Sequence, residues 1–290
     1  VTVAKSGVAI VVVGFDSGDV WPQFFDSLSS STTLPERVVV VENSPHVPRI
    51  DSAALPFPLE IVHQPDNPGY GAAANAGVAI LPQRIPFVVV CNPDVVFESA
   101  TLEDLTAALD SHPNAGVAGP RILNADGSVY PSARAFPGIR VGVGHALFAD
   151  IWKNNPWTSR YLGRYEGTET RVVDWVSGAL MMFRREALDA VGGFDPGYFM
   201  FLEDVDVCFR LKRLSWRSVY APIAALTHSG AHATKKNMSE MVTIHHESAR
   251  RFLSLLYDKP IHAPLRGMLR LGLALRRLLA TRRYRKLTAG

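Results

Sequence analysis

The sequence predicts an α/β protein with a mostly parallel central sheet and helices on both faces. Three observations carry that prediction. Short, uniformly apolar, valine-rich runs recur at Val8–Val13, Arg37–Val41, Leu59–His63 and Pro86–Cys91, the pattern of strands buried on both sides. Helical patterns separate some of them, at Val20–Leu28 and in the Ala-rich stretch Gly71–Ile80. The composition, 47% apolar and 20% charged over 290 residues, is that of a globular protein and excludes disorder, collagen and coiled coil.

In chain order, the first strand is bounded by Gly14 and the second runs into Glu42-Asn43-Ser44-Pro45. The third is followed by Asp66-Asn67-Pro68-Gly69 and the fourth by Asn92-Pro93-Asp94. Residues 1–110 thus read as a nucleotide-binding-type half. Beyond it, Ala125-Asp126-Gly127-Ser128 is a turn signal, and Pro131, Pro137 and Gly138–Gly144 mark loops. Arg171–Phe183 reads as one long strand interrupted at Ser177-Gly178. Glu203–Leu214 follows as a short helix, Arg217–Tyr220 as a strand and Glu240–Tyr257 as a longer helix. No linker is visible, so residues 1–258 are expected to form one domain, with 259–290 as a tail.

Charge divides the chain at the same place. Of 30 basic residues, nine lie from Lys259 onward, where there is no Asp or Glu; the preceding body carries 21 basic against 27 acidic residues. An anionic partner is therefore expected at the tail alone. On a helix, Leu265, Met268, Leu271, Leu275, Leu278 and Leu279 fall on one broad arc, with Arg266, Arg270 and Arg277 opposite and Leu269 and Leu273 straying towards them. That pattern suits an anionic membrane surface. No zinc-finger spacing or RNA-binding signature appears, and no nucleic-acid partner is expected. Two cysteines cannot form a disulfide framework, no apolar stretch approaches the ~20 residues of a membrane span, and no leader-like segment opens the sequence. A cytoplasmic protein, peripheral on the inner face of the membrane, is the expectation.

The chemistry is sought at the strand ends, because ligands of open parallel sheets bind outside their carboxyl edge. Gly69-Tyr70-Gly71-Ala72-Ala73-Ala74 fits the dinucleotide pattern G-x-G-x-x-A. Gln64 to Pro68 intervene between strand and glycines, however, so a turn opening a helix is preferred and NAD is rejected. Asp94 lies at the mouth of the sheet, where one or two carboxylates suffice for a Mg or Mn ion shared with a diphosphate. Alone, Asn92-Pro93-Asp94 reads more readily as an ordinary turn. Glu203-Asp204-Val205-Asp206 opens a helix; Asp206 and Arg210 suit a plain i,i+4 pair, while a helix N-terminus would keep Asp204 ionised and able to take a proton. His228 is a candidate to complete an oxygen-rich metal site.

Together these pieces resemble the inverting family 2 glycosyltransferases of the GT-A fold. The landmarks are Val38–Ser44, Asn67-Pro68-Gly69-Tyr70-Gly71 with Asn75, Asn92-Pro93-Asp94, Gly192-Gly193-Phe194-Asp195, Glu203-Asp204-Val205-Asp206 and His228, in the family's order. A narrower resemblance, to actinobacterial rhamnosyltransferases of cell-wall linker assembly, rests on Asp126–Arg134, Asn155-Pro156-Trp157-Thr158 and Trp175-Val176-Ser177-Gly178. It implies a dTDP-rhamnose donor and a polyprenyl-diphosphate-linked GlcNAc acceptor. By resemblance Asp204 is the catalytic base, Asp94 and His228 hold the divalent cation, and Glu42, Asn67 and Gly69 meet the nucleoside. Asn92, Arg134, Trp175, Ser177, Gly178 and Glu203 are further substrate-binding candidates, with Arg134 facing a phosphate or a sugar. Two departures stand out: Glu42 replaces the family's aspartate after the second strand, and Asn92 occupies the first position of its D-x-D metal motif.

The rival readings are another family 2 transferase with a different deoxysugar or acceptor, a nucleotidyltransferase, and a membrane-recruitment module. The nucleotidyltransferase would carry a basic glycine-rich loop after the first strand, where Gly14-Phe15-Asp16-Ser17-Gly18-Asp19 has no base. The recruitment module would leave the ordered body motifs unexplained.

Overall fold

A computed structural model describes residues 7–138, 168–228 and 238–274. The valine runs are strands: β1 (Val8–Gly14), β2 (Arg37–Glu42), β3 (Leu59–His63) and β4 (Phe87–Cys91). They pair in parallel in the order β3-β2-β1-β4, so their carboxyl ends share one edge. The sheet then continues through β11 (Leu180–Arg184), β6 (Ala115–Leu123), β12 (Arg217–His228) and β5 (Val95–Phe97). Of these, β11 runs antiparallel to both its neighbours, and β6 and β12 are parallel. Among the described residues, β7 (Val129–Tyr130) and β9 (Arg171–Val173) flank the sheet, and β8 (Ala133–Arg134) pairs with β10 (Trp175–Val176) in a separate ribbon.

Period-two alternation divides the core into two layers. Val8, Ile10 and Val12 pack with α1 (Trp21–Ser29) and α3 (Thr101–Asp110). Ala9, Val11 and Val13 face α2 (Tyr70–Ala79), α4 (Arg185–Ala190) and α5 (Glu203–Arg213). The small-residue composition of α2 follows from its closeness to the sheet: a Cβ on Gly77 would run into the side chains of Val11 and Val41. Tight seating of α2 in turn fixes Tyr70 at its N-terminus.

The expected long strand Arg171–Phe183 is instead three strands with different partners: β9 on β12, β10 on β8, and β11 between β4 and β6. The turn at Ser177-Gly178 redirects the chain, because β11 is buried along Leu180–Phe183 and must enter the central sheet while β10 stays outside it. The strand expected at Arg217–Tyr220 extends to His228, through a bulge between Ala221 and Ala225.

The last helix of the body, α6 (Met238–Leu256), lies along the loop that precedes α5. A further helical segment spans residues 263–274. Its Leu269 and Leu273, with Arg266 and Arg270, border the same cavity as Leu253 and Ser254 of α6, whereas Ile261 just before it and Met268 and Leu271 on it remain exposed. The two leucines that strayed from the apolar arc thus lie on the side turned to α6. Leu275, Leu278, Leu279, the basic stretch 276–286 and Asn155-Pro156-Trp157-Thr158 lie outside the described residues. Among the described residues, no helix is long and apolar enough to cross a membrane.

Gly77→Ala tests the seating of α2. In an exposed helix this change would stabilise by ~1 kcal/mol; here overpacking against Val11 and Val41 is expected to destabilise by ~1–3 kcal/mol, read from urea unfolding midpoints.

Candidate active site

Strand register explains how the distant residues Asp94 and His228 meet. β5 begins one residue after Asp94 and pairs antiparallel with the end of β12, setting Val95 opposite His228. The Asp94 Oδ1 then lies 3.1 Å from His228 Nε2, and Asn92 Nδ2 lies 3.2 Å from the same nitrogen. A neutral imidazole nitrogen cannot both accept from the amide and donate to the carboxylate. A carboxylate oxygen and an imidazole nitrogen converging on one point do suit a hard or borderline divalent cation. The described residues gather no third His, Cys, Asp or Glu there, so the remaining positions would fall to substrate oxygens and water.

The parallel strands bring Glu42 and the loop carrying Asn67 to the same edge. Glu42 is buried, and its Oε1 accepts from the backbone N–H groups of Ser44 at 3.0 Å and Asp16 at 3.3 Å. The extra methylene relative to aspartate is taken up by folding the carboxylate onto the loop after β1. Asn67 and Gly69 both have positive φ, at 45° and 97°. Gly69 admits no side chain, because a Cβ would lie 2.8 Å from Phe199 Cα, and the Tyr70 N–H donates to Phe199 O at 2.9 Å. This contact joins the strand-edge loops to the loop ahead of α5.

Gly178 holds Asp204. Its N–H donates to Asp204 Oδ2 at 2.9 Å, and its carbonyl accepts from the Tyr70 hydroxyl at 3.0 Å. The other Asp204 oxygen accepts from the Val205 N–H at 2.8 Å. Ser177 contributes through its backbone, its N–H donating to Ser132 O at 2.7 Å and bracing the β8–β10 ribbon. Within that ribbon Arg134 sits opposite Trp175, whose indole N–H donates to Ala135 O at 3.0 Å.

To the expectation that a helix N-terminus keeps Asp204 ionised the structure adds opposing influences. Burial pushes the Asp204 carboxyl up, against the lowering effects of the Gly178 and Val205 N–H groups and of Arg134. Glu203, buried and with Oε2 lacking a partner among the described residues, is pushed up to about 8, first by burial and then by the Asp204 charge. Hydrogen bonds favour the charged form of Asp204 and none reaches Glu203 Oε2. Near neutral pH the proton therefore belongs on Glu203, leaving Asp204 as the partly exposed carboxylate. Asp206 is buried and pairs with Arg210 at 2.6 Å, the plain i,i+4 pair.

Sequence reasoning missed three contributors. Tyr70 acts through its hydroxyl on Gly178. Phe201 and Leu202 both adopt positive φ, 67° and 63°, directly before α5, a strained approach that no residue type announces. And α6 buttresses that approach: Ser248 Oγ donates to Met200 O at 2.8 Å and Arg251 pairs with Asp195 at 2.8 Å. The Gly192-Gly193-Phe194-Asp195 landmark is structural, its Phe194 backbone gripped at both N–H and C=O by the Asn75 amide.

Residues 6–247 match the sequence pattern of a family described as glycosyltransferase like family 2. The N-acetylglucosaminyl-diphospho-decaprenol L-rhamnosyltransferase of Mycobacterium tuberculosis is 37% identical over 283 residues, covering 94% of this chain and 92% of that protein. The rhamnosyltransferase WbbL of Escherichia coli is 37% identical over 83 residues, 29% of this chain and 31% of that protein. Among solved structures, a mannosyltransferase of Pyrobaculum calidifontis with GDP-mannose and Mn2+ superimposes with a TM-score of 0.56 at 15% identity, covering 97% of this chain and 74% of that one. GalNAc-T7 with UDP, GalNAc and Mn2+ gives 0.56 at 14% identity, covering 84% and 47%. These structural likenesses establish the shared GT-A fold.

The Glu203 environment has a measurable signature. A carboxyl raised on folding contributes stability that is present below its unfolded pKa and lost as pH rises through the folded one, here between about pH 4.5 and pH 8. Glu203→Gln removes that loss. Its melting temperature should match the wild type near pH 4.5 and exceed it by about 2–6 °C at pH 8.5, measured by thermal unfolding across the range.

Proposed function

We propose, from the premise that this chain belongs to glycosyltransferase family 2, that it transfers L-rhamnose from dTDP-L-rhamnose to a GlcNAc-diphospho-polyprenol acceptor with inversion. The product would be the rhamnosyl-GlcNAc unit of a cell-wall arabinogalactan linker. The observation that carries the catalytic reading is the Asp204 carboxylate: partly exposed, oriented by the Gly178 N–H and paired with a Glu203 that takes the proton. The donor and acceptor identities are supported by the full-length similarity to the mycobacterial rhamnosyltransferase.

In this mechanism Asp204 accepts the proton of the acceptor hydroxyl as that oxygen bonds to the anomeric carbon from the face opposite the leaving group. The bond to the dTDP oxygen breaks in the same displacement, through an oxocarbenium-like transition state. Gly178 and Val205 fix both carboxylate oxygens, so the base is aimed before the acceptor arrives. Asp94 and His228 would hold a Mg or Mn ion, with Asn92 as a neighbouring positioning group; a bound cation neutralises charge on the departing diphosphate. Glu42, Asn67 and Gly69 shape the nucleoside end by their loop conformations. Trp175, Ser177 and Gly178 shape the acceptor side.

The exposed Ile261, Met268 and Leu271, with the nine basic residues the sequence carries from Lys259 onward, support a peripheral seat on an anionic membrane, at its inner face. Residues 259–290 then act as a membrane-associating tail on a catalytic body of residues 1–258. A lipid-linked acceptor has to be met at such a surface.

Two experiments test the reading. Asp204→Asn should retain dTDP binding by calorimetry and lose transfer by ~10²–10⁴-fold in a mass-spectrometric product assay with a short-chain acceptor; near-normal turnover removes Asp204 from the role. Met268→Glu combined with Leu271→Glu should weaken co-sedimentation with phosphatidylglycerol vesicles by about tenfold or more. Transfer to a water-soluble acceptor should be unchanged in that variant.

A further inference from the structure

Arg37, Arg84, Arg185, Arg210, Arg213 and Arg251 each pair with a carboxylate, and Arg134 is held in another way. Arg134 has no carboxylate within ion-pair distance among the described residues. Its guanidinium instead lies against two aromatic rings, 5.6 Å from the centroid of Tyr130 and 5.6 Å from that of Trp175. Its Nε donates to Pro131 O at 2.8 Å. Two rings and one carbonyl therefore fix the plane of the group, while among the described residues the hydrogens on both terminal nitrogens have no acceptor.

The ribbon aims this group. Arg134 pairs in register with Trp175, and three residues on from Trp175 stands Gly178, whose N–H holds Asp204. The Ser177–Ser132 hydrogen bond clamps the intervening turn. Arg134 is thus tied to the base end of the site, whereas Asp94 and His228 belong to the strand edge. In an in-line displacement the acceptor hydroxyl and the departing diphosphate approach the anomeric carbon from opposite faces, and the base marks the acceptor's face. A cation on the base's side serves the acceptor.

We propose that Arg134, clamped by Tyr130 and Trp175, binds the diphosphate of the lipid-linked acceptor and so selects sugar acceptors that carry one. This rests on the acceptor class given above. A planar fork with parallel N–H groups matches two phosphate oxygens better than it matches scattered sugar hydroxyls, and aromatic flanking keeps the fork ordered before binding.

The test uses two soluble probes, a short-alkyl GlcNAc diphosphate and the corresponding neutral alkyl GlcNAc glycoside. Binding of each to the full chain is measured by calorimetry, and rhamnose transfer to each is measured in parallel. Wild type should bind the diphosphate probe about 10- to 100-fold more tightly than the neutral one. Arg134→Gln should abolish that preference with dTDP affinity unchanged, and Arg134→Lys, which keeps the charge without the fork, should restore part of it. Equal loss for both probes, weakened dTDP binding in either variant, or no wild-type preference overturns the assignment. Diphosphate-selective binding without rhamnose transfer would overturn the activity reading and leave the Arg134 assignment standing.

Discussion

One glycine peptide carries the geometry of the acidic end. Gly178 donates its N–H to Asp204 and accepts from Tyr70 through its carbonyl. That joins the turn between β10 and β11 to the first residues of both α5 and α2. Tyr70 is fixed because α2 is pressed onto β1 and β2 at Gly77. The turn is fixed because β11 is locked between β4 and β6. The position of Asp204 thus follows from packing in the central sheet.

The paired carboxylates show why a helix terminus is not a sufficient account of an ionised acid. The macrodipole and two backbone N–H groups favour charge on Asp204, but burial opposes it, and two adjacent buried charges oppose each other. The conflict is relieved by placing the proton on Glu203, the member with an unpartnered oxygen. Asp206, one helical step further, is relieved differently, by Arg210. Three acids in four residues have three different fates, set by what each side chain meets.

The parallel half of the fold was legible in the sequence because each strand there is a local apolar run with a polar stop. β3 spans the predicted residues, and β1, β2 and β4 differ from prediction by one residue at an end. The half after Asp94 was legible only in pieces. Its strands run in mixed directions, several span only two or three residues, and they draw their partners from far along the chain, so a continuous pattern over Arg171–Phe183 concealed two changes of partner. At the site, charged residues at element ends could be picked out, since Asp94 and His228 stand at strand ends and Glu203 opens a helix. Tyr70 resembled packing, and the left-handed pair Phe201-Leu202 resembled nothing, because strain imposed by tertiary contacts leaves no mark in residue type. In the tail the helical arc was visible. Which leucines faced the body depended on the position of α6, and periodicity alone does not supply that.

The two ends of the site are built by different means, with a consequence for selectivity. The strand-edge end is set by main-chain register: His228 opposite Val95, Glu42 bound to its own loops, Gly69 pressed against Phe199. Such a frame is rigid, and side-chain changes there act on shape. The base end is set by a strained loop that α6 braces through Ser248 and Arg251. The opposite side of α6 carries the segment bearing the exposed Met268 and Leu271. A force or displacement at that outer surface has a short route, through one helix, to the residues that orient Asp204. The strand-edge frame meets that same loop where Gly69 and Tyr70 contact Phe199. On the proposed reading, an acceptor held at a membrane is met by a loop that α6 braces from the side of the exposed Met268 and Leu271, while the strand edge is held by sheet register and reaches that loop through Phe199.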